Sequence, residues 1–299
     1  MYLLDEHALD CIRKAGRLSS EARELGRSIA SEGVKLREVA DRMEYHILEH
    51  GGRLAFPVNI SINETAAHFT PNTSDEMVFH NGDLAKLDVG AQVDGYLGDT
   101  AATVEIGTRN WQPLIDASDR ALQLAIEMAK EGVSVGSIGG IVERSIKDAG
   151  FRPVVNLSGH EMKRYNLHAG LTIPNFNDGT LSKVQGNMLL AIEPFATNGQ
   201  GQVANGKSGN IYRVLRDRTI KDAEAQKLFE KIKQEFVTLP FCERWCDRIQ
   251  PESAPLLKTL HRHGLISTYP VLLEVQRGMV SQTEHTVLAC NGRTEITTL

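Results

Sequence analysis

The sequence predicts an α+β fold that repeats its architecture once and carries one helical insertion. Three observations predict it: two successive rounds of two helices followed by strands, a hairpin signature in the first round, and a glycine-rich stretch with helical patterns before the last strands. The chain has 299 residues, of which 41% are hydrophobic and 24% charged, as is usual for globular proteins. Length alone allows one large domain or two smaller ones.

The first round ends in a β-hairpin. Apolar residues recur at helical spacing in two segments, and the second segment stops at a pair of glycines, 51–52. Two strand patterns then flank Asp94-Gly95, a favoured two-residue turn. The predicted elements are helices over 5–32 and 36–50, a strand over 54–63, a polar loop over 64–76, and hairpin strands over 85–93 and 96–107.

The second round repeats this order and is followed by the insertion. Its predicted elements are helices over 114–130 and 135–149, then strands over 152–160 and 187–197. Residues 199–210 are glycine-rich and polar, which is typical of a loop. Helices are predicted over 221–237 and 254–264, and strand patterns return from Tyr269. The simplest interpretation is a helical insertion between the last two strands of a sheet domain.

Charge and cysteine content narrow the class of protein. The net charge of −5 argues against a chain that mainly coats nucleic acid. We predict neither a signal peptide nor a membrane span, and therefore a cytoplasmic location. The cysteines show no disulfide framework, and we interpret Cys242 and Cys246 as semi-buried thiols rather than as a metal or redox pair.

The hairpin brings two aspartates onto one face. With a two-residue turn, Gly90 pairs with Asp99, and Asp88 shares the face of Gly90. Asp88 and Asp99 are then diagonal neighbours, about 7–8 Å apart at the backbone, and both can reach a common metal pair. The alternative is two solvated surface aspartates. The apolar strand around Asp88 disfavours it, because a buried Asp needs compensation.

Three further candidate ligands occur along the chain. His160 ends a strand-like run, and Glu193 and Glu284 occur in apolar strand patterns. Each one alone is equally compatible with a satisfied core polar residue, but five at strand positions of one sheet favour a shared site. Four carboxylates and one imidazole suit two divalent ions and indicate metal-assisted hydrolysis. Mn, Fe, Co and Zn all fit this ligand set.

The phrases around these residues resemble the methionine aminopeptidases, and more closely the archaeal members of the type II branch. They are LAKLDVGAQVDGYLGDTA, SGHEMKRYNLHAG, LLAIEPFAT and SQTEHTVLA. The resemblance implies the pita-bread fold, a curved antiparallel sheet covered by two helix pairs with pseudo-twofold symmetry. It also implies that two divalent metal ions are held by Asp88, Asp99, His160, Glu193 and Glu284.

The resemblance gives further residues a role. His68 resembles the substrate-proximal histidine, and His168 the histidine that contacts the substrate carbonyl. Phe56 and Tyr269 match residues that line the methionine pocket. The implied substrate is a new polypeptide that begins with methionine and a small second residue; a water bridging the metals attacks the scissile carbonyl, and Glu193 moves its proton. For the histidines and aromatics, a core or surface role is the alternative.

Domain organisation and partners follow from the same resemblance. Residues 1–200 and 269–299 would form the catalytic domain, and 201–268 the winged-helix-like insertion that separates type II from type I. We expect a monomer that acts on nascent chains, with transient ribosome contact, no membrane and no sequence-specific nucleic acid.

Two alternatives stay open. A proline-specific aminopeptidase or prolidase shares the five ligands but usually carries an extra N-terminal domain, for which this chain has no room. A non-catalytic relative that binds RNA or ribosomes would have lost ligands, and this sequence keeps all five.

Overall fold

The fold consists of antiparallel sheets flanked by two helix pairs and a third helical cluster. The computed structural model describes residues 4–290 and 292–299. The helices are α1 (Glu6–Ile29), α2 (Leu36–Glu49), α3 (Gln112–Met128), α4 (Val135–Asp148), α5 (Ala223–Phe236), α6 (Glu243–Ile249) and α7 (Ala254–Arg262). The strands are β1 (Arg53–Ile62), β2 (Thr65–Ala67), β3 (Leu84–Val93), β4 (Tyr96–Glu105), β5 (Arg152–Pro153), β6 (Ser158–Met162), β7 (Thr172–Pro174), β8 (Met188–Ile192), β9 (Phe195–Thr197), β10 (Val203–Val214), β11 (Phe241–Cys242), β12 (Ile266–Glu274), β13 (Val280–Gln282), β14 (His285–Cys290) and β15 (Arg293–Ile296).

Each half of the molecule packs one helix pair on strands. In the first half, α1 and α2 cover the sheet β1-β3-β4, and their apolar faces share a core that includes Met43 and Leu87. In the second half, α3 and α4 cover β7, β8, β9 and β14 around a core that includes Leu122 and Ile138. This repetition confirms the predicted α+β fold with two helix pairs. In the described part of the chain, no helix is long and apolar enough to cross a membrane.

The hairpin has the predicted register. Val93 pairs with Tyr96, and Gly90 pairs with Asp99. Both turn residues, Asp94 and Gly95, have positive φ angles, 50° and 81°, which a two-residue turn between twisted strands requires. Local turn chemistry therefore fixes which residues of β3 and β4 share a face.

Residues 199–210 were predicted as a loop, and this was wrong, because most of them belong to β10. β10 pairs with β12, with register shifts near Ser208. A Cβ atom at Gly209 would lie 2.5 Å from the carbonyl oxygen of Tyr269. Glycine here allows a close approach of two strands, so the glycines that indicated a loop belong to a sheet.

Other predicted elements are divided in the structure. The polar loop 64–76 contains the three-residue strand β2, which pairs with β12. The strand predicted over 152–160 becomes β5 and β6, and the one over 187–197 becomes β8 and β9. β9 pairs with β13 while β8 pairs with β14, so the chain changes sheets in between.

The third helical cluster has a core of its own. α5, α6 and α7 enclose Phe229, Phe241 and Trp245. Cys242 and Cys246 are buried, unpaired thiols within this core, and burial raises the pKa of both. The cluster is joined to the rest of the molecule by β12, which starts within it and pairs with β2.

One buried ion pair anchors this cluster. Arg244 on α6 donates to both carboxylate oxygens of Glu44 on α2, at 2.8 and 2.9 Å. Trp245 Nε1 donates to the same carboxylate at 2.9 Å. Arg244 also donates to the carbonyl of Pro71 and to Asp41. The third helical cluster is thus held to the first helix pair by charge-assisted hydrogen bonds.

Candidate metal centre

All nine residues singled out from the sequence line one cavity of about 230 Å³. They are Phe56, His68, Asp88, Asp99, His160, His168, Glu193, Tyr269 and Glu284. A larger cleft of about 910 Å³ lies between α1, α3 and β4, and it contains none of these nine. Cavity size is therefore a poor guide to the chemistry here, and the residues are the better one.

The five candidate ligands come from both halves of the molecule. Asp88 lies on β3 and Asp99 on β4, while His160 lies within β6. Glu193 and Glu284 were predicted within strands, but they occupy the breaks between β8 and β9 and between β13 and β14. The prediction of one common sheet is therefore wrong, because the candidate ligands meet where three sheets adjoin, β1-β3-β4, β13-β9-β5 and β15-β14-β8-β6-β7.

Backbone and hydroxyl contacts hold this seam together. Glu284 and Ala101 form an isolated antiparallel bridge, with the Glu284 N–H donating to the Ala101 carbonyl at 3.0 Å. Asp99 N–H donates to the Thr286 hydroxyl oxygen at 2.8 Å, and that hydroxyl donates to the Asp99 carbonyl at 2.7 Å. The two carboxylates are thus fixed relative to each other by the strands that carry them.

The ligand atoms lie close together. One ligand atom each from Asp99, His160 and Glu284 fits within 4.8 Å of the others. His160 Nε2 lies 3.7 Å from Asp99 Oδ2 and 3.7 Å from Glu193 Oε1. These distances are too long for hydrogen bonds, and they leave room for an ion between the groups.

Unpartnered oxygen atoms show that a divalent cation fits this site. Asp88 and Asp99 each have a buried carboxylate oxygen, Oδ1, without a hydrogen-bond partner. Such an atom is costly to bury unless a cation or donor completes it. Hard oxygen donors with one imidazole are the ligands that Mn, Fe, Co and Zn take.

Burial shifts the protonation of the whole group. It raises the pKa of Asp88 to about 7. Burial and repulsion between neighbouring carboxylates raise the pKa values of Asp99, Glu193 and Glu284. Burial lowers the pKa of His160 to about 3, so its imidazole is neutral and able to bind a metal. A bound cation would restore the charged form of the carboxylates.

Two histidines and two aromatics surround the remaining cavity. The His68 ring lies 5.3 Å from the Tyr269 ring, and the His168 ring 4.4 Å from the His160 ring. His68 has a φ of 66°, a strained angle for a non-glycine residue and one that is frequent at functional sites. Phe56 is buried against Gly90 on β3.

The hydrogen bond of His68 assigns its tautomer. Nδ1 lies 3.3 Å from the Pro270 carbonyl oxygen, which only accepts, so Nδ1 carries the proton. Burial lowers the pKa of His68 to about 4. The ring is therefore neutral, and its Nε2 is free to accept a hydrogen bond.

Among the cavity residues that were not predicted, two lie beside candidate ligands. Gln282 Nε2 makes long contacts to Glu193 Oε2 at 3.4 Å and to Glu284 Oε2 at 3.5 Å. Asn59 pairs with Asp88 in the β1–β3 register. Gln282 precedes Glu284 by two residues, and the period-2 alternation of strands could have revealed it. Asn59 has no such signal, because its approach depends on a long-range pairing.

Comparisons with known proteins show the family. The model of metallopeptidase family M24 matches residues 10–220. A methionine aminopeptidase of Pyrococcus horikoshii is 42% identical over 293 residues, which cover 97% of this chain and 99% of the relative.

Solved structures share the fold. A thermophilic Arx1 superposes with a TM-score of 0.85 at 16% identity, covering 99% of this chain and 91% of that one. A methionine aminopeptidase from Thermotoga maritima superposes with a TM-score of 0.73 at 22% identity, covering 100% of this chain and 99% of that one. With the identity over nearly its whole length, this pita-bread chain belongs to metallopeptidase family M24, among the type II methionine aminopeptidases.

Proposed function

We propose that this protein is a metal-dependent aminopeptidase that removes the N-terminal methionine from polypeptides with a small second residue. The observation that carries the proposal is that four carboxylates and one imidazole line one cavity. Two of these carboxylates, Asp88 and Asp99, have a buried oxygen atom without a hydrogen-bond donor. Membership of the methionine aminopeptidases supplies the substrate class.

Two divalent ions would be held by Asp88, Asp99, His160, Glu193 and Glu284. When bound, such ions polarise a carbonyl oxygen and lower the pKa of coordinated water. The surrounding residues support this arrangement, because Gln282 contacts Glu193 and Glu284 and the Thr286 hydroxyl holds the backbone of Asp99.

The chain's own groups would divide the remaining work. Glu193 takes the proton from the attacking water and passes it to the leaving amine. His168 donates a hydrogen bond to the scissile carbonyl oxygen as charge develops there. His68, whose Nε2 is free to accept, takes a hydrogen bond from the scissile amide N–H. The Asp88 carboxylate faces the free amino group of the substrate.

The methionine side chain would occupy the aromatic part of the cavity. Phe56 and Tyr269 supply apolar ring surface there, and a thioether makes favourable contacts with aromatic rings. The cavity of about 230 Å³ contains the candidate ligands as well as this aromatic part, so the space left for a second residue would be small.

The wider organisation is part of the same proposal. Residues 201–268 form the type II insertion and 1–200 with 269–299 the catalytic domain, which the separate core of the third helical cluster supports. The protein would work as a cytoplasmic monomer on nascent chains with transient ribosome contact. Sedimentation velocity and co-sedimentation with ribosomes test these two points.

A reconstitution assay tests the activity. Metal-free protein is loaded with Co, Mn, Fe or Zn in turn and given a Met-Ala peptide, the same peptide with an acetylated amine, and an X-Pro peptide. We expect cleavage of the free Met-Ala peptide alone. Cleavage of the acetylated peptide would contradict an aminopeptidase, and preference for X-Pro would favour the prolidase alternative. No cleavage with any metal would favour the non-catalytic alternative.

A further inference from the structure

An exposed arginine lies beside the mouth of the candidate site, by which we mean the part of the cavity between His68, His168 and Tyr269. Arg213 lies near the end of β10 and is exposed to solvent. Its guanidinium lies 5.4 Å from the centroid of the Tyr269 ring. Its Nε donates to the hydroxyl of Ser267 at 3.2 Å, across the β10–β12 register. Stacking on the ring and one hydrogen bond therefore hold the side chain in place.

Two histidines lie near Arg213, one on each side of the mouth. Tyr269, under the guanidinium, lies next to His68. On the other side, His168 is exposed to solvent and lines the same cavity as His68 and Tyr269. Arg213 thus lies within electrostatic reach of a polypeptide entering between His68 and His168.

The charge of Arg213 is not neutralised by an ion pair within residues 4–290 and 292–299. Its contacts there, Tyr269 and Ser267, are uncharged. An arginine fork held over an aromatic ring is well suited to bind a carboxylate. The candidate metal centre would bind the amino end of a substrate, so a carboxylate at Arg213 would have to come from further along the polypeptide.

The distance sets which part of the substrate reaches Arg213. The guanidinium carbon lies 5.4 Å from the Tyr269 ring centroid, and that centroid lies 5.3 Å from the His68 ring centroid, so these two distances together set the upper limit of the span from Arg213 to His68. An extended chain covers that span in at most about three residues. Residues three to five of the polypeptide are therefore those that pass the guanidinium.

We propose that Arg213 is a specificity-determining residue that favours polypeptides with a carboxylate side chain at positions three to five. This inference rests on the proposed function and deepens it, because it adds a preference for residues beyond the small second one. The discrimination is electrostatic and acts at an exposed site, so salt weakens it.

A peptide series tests the preference. Amidated Met-Ala pentapeptides carry one Glu or one Gln at position three, four or five, and kcat/KM is measured for each. For the unchanged protein we expect Glu to be favoured over Gln at one or more positions by roughly two- to fivefold at low salt, the size typical of an exposed charge pair. The ratio should approach one in concentrated salt.

Variants of Arg213 separate charge from packing. Arg213→Met keeps an apolar stem over Tyr269 and should bring the Glu/Gln ratio to about one, whereas Arg213→Glu should invert it. Arg216→Met is the matched control, since Arg216 is an exposed arginine three residues further on, and it should leave the ratio unchanged.

The outcomes distinguish the two proposals. Peptide cleavage with a Glu/Gln ratio that Arg213→Met does not alter would overturn the role of Arg213 while leaving the aminopeptidase standing. An equal loss of kcat/KM for all peptides would also overturn it and make Arg213 a support for Tyr269. If the protein cleaves no Met-Ala peptide at all, the proposed function fails and the inference falls with it.

Discussion

The molecule buries carboxylates in two places, and in only one of them does the protein supply a hydrogen-bond donor to every carboxylate oxygen. Glu44, which is 0% exposed, accepts hydrogen bonds from Arg244 and from Trp245. In the candidate metal centre, by contrast, Asp88 and Asp99 each keep a buried oxygen without a donor. The first carboxylate is neutralised within the chain, whereas the second group is incomplete without an added cation.

The difference separates a structural charge from a functional one. Charge partners supplied by the fold make a carboxylate part of the scaffold, because removing either partner leaves the other buried and unpaired. Carboxylates that lack such partners repel each other and have raised pKa values. Removing one of them should cost activity rather than stability.

Glu193→Gln should have the largest effect on turnover. The amide keeps the shape of the side chain but cannot carry a proton between water and amine, so kcat should fall by about 10²- to 10⁴-fold. Steady-state assays on a Met-Ala peptide measure it. The melting temperature of the metal-free variant should not fall, because its repulsion with Asp99 is removed. A metal-loaded variant that keeps most of its kcat would exclude Glu193 as the proton carrier.

Glu44→Gln should have the largest effect on stability. Arg244 would stay buried with only the partly exposed Asp41 as a charge partner, and the free energy of unfolding should fall by about 3–5 kcal/mol. Urea denaturation measures the loss. Glu49→Gln, on the exposed end of the same helix, is the matched control and should change the value by less than about 0.5 kcal/mol. Equal effects of the two changes would contradict a structural role for the Glu44 pair.

His168→Ala should lower kcat by roughly 10²-fold or more, the scale of one lost donor to a developing oxyanion. His168 is exposed at the mouth, so the melting temperature should hardly change. The same peptide assay and a thermal melt provide both readings. An unaltered kcat would mean that the imidazole serves no catalytic purpose.

Metal removal should make stability depend on pH. Burial raises the pKa of Asp88 from 3.8 to about 7 in the folded protein. A carboxyl with a raised folded pKa stabilises below its unfolded pKa, and this contribution is lost as pH rises through the folded value. The metal-free protein should therefore lose stability between about pH 4 and pH 7.

Thermal melts at pH 5 and pH 8 measure this loss. The gap in melting temperature between metal-loaded and chelator-treated protein should widen towards pH 8 by at least about 3 °C, which a difference near 1 kcal/mol would produce. In Glu284→Gln, with one fewer repelling carboxylate, the gap should widen less. A metal-free protein whose melting temperature rises from pH 5 to pH 8 would rule out this account.

Local features of the fold could be predicted from the sequence, and long-range ones could not. The register of β3 and β4 follows from a two-residue turn, so Asp88 and Asp99 could be placed together. The contact between Glu44 and Arg244 joins residues 200 positions apart, and no local pattern indicates it. β10 escaped prediction because glycines needed for close strand contact have the composition of a loop.

In the candidate site, too, residues indicated by local patterns could be predicted, and residues placed by long-range pairing could not. Geometry from the sequence reached only the two aspartates, whereas His160, Glu193 and Glu284 were singled out by their strand-like context and by the family resemblance. Gln282 could have been found from strand alternation. Arg213 could not, because its place beside Tyr269 depends on the pairing of β10 with β12.

The seam between the sheets has a mechanical consequence. Asp99 and Thr286, 187 residues apart, are clasped by two hydrogen bonds, and the ligands beside them come from opposite halves. A bound ion would thus act as a cross-link across a very long loop, much as a disulfide does. Removing the ion with a chelator should let the two halves separate transiently. Limited proteolysis should then cut first in the segment that connects the halves, between β4 and α3.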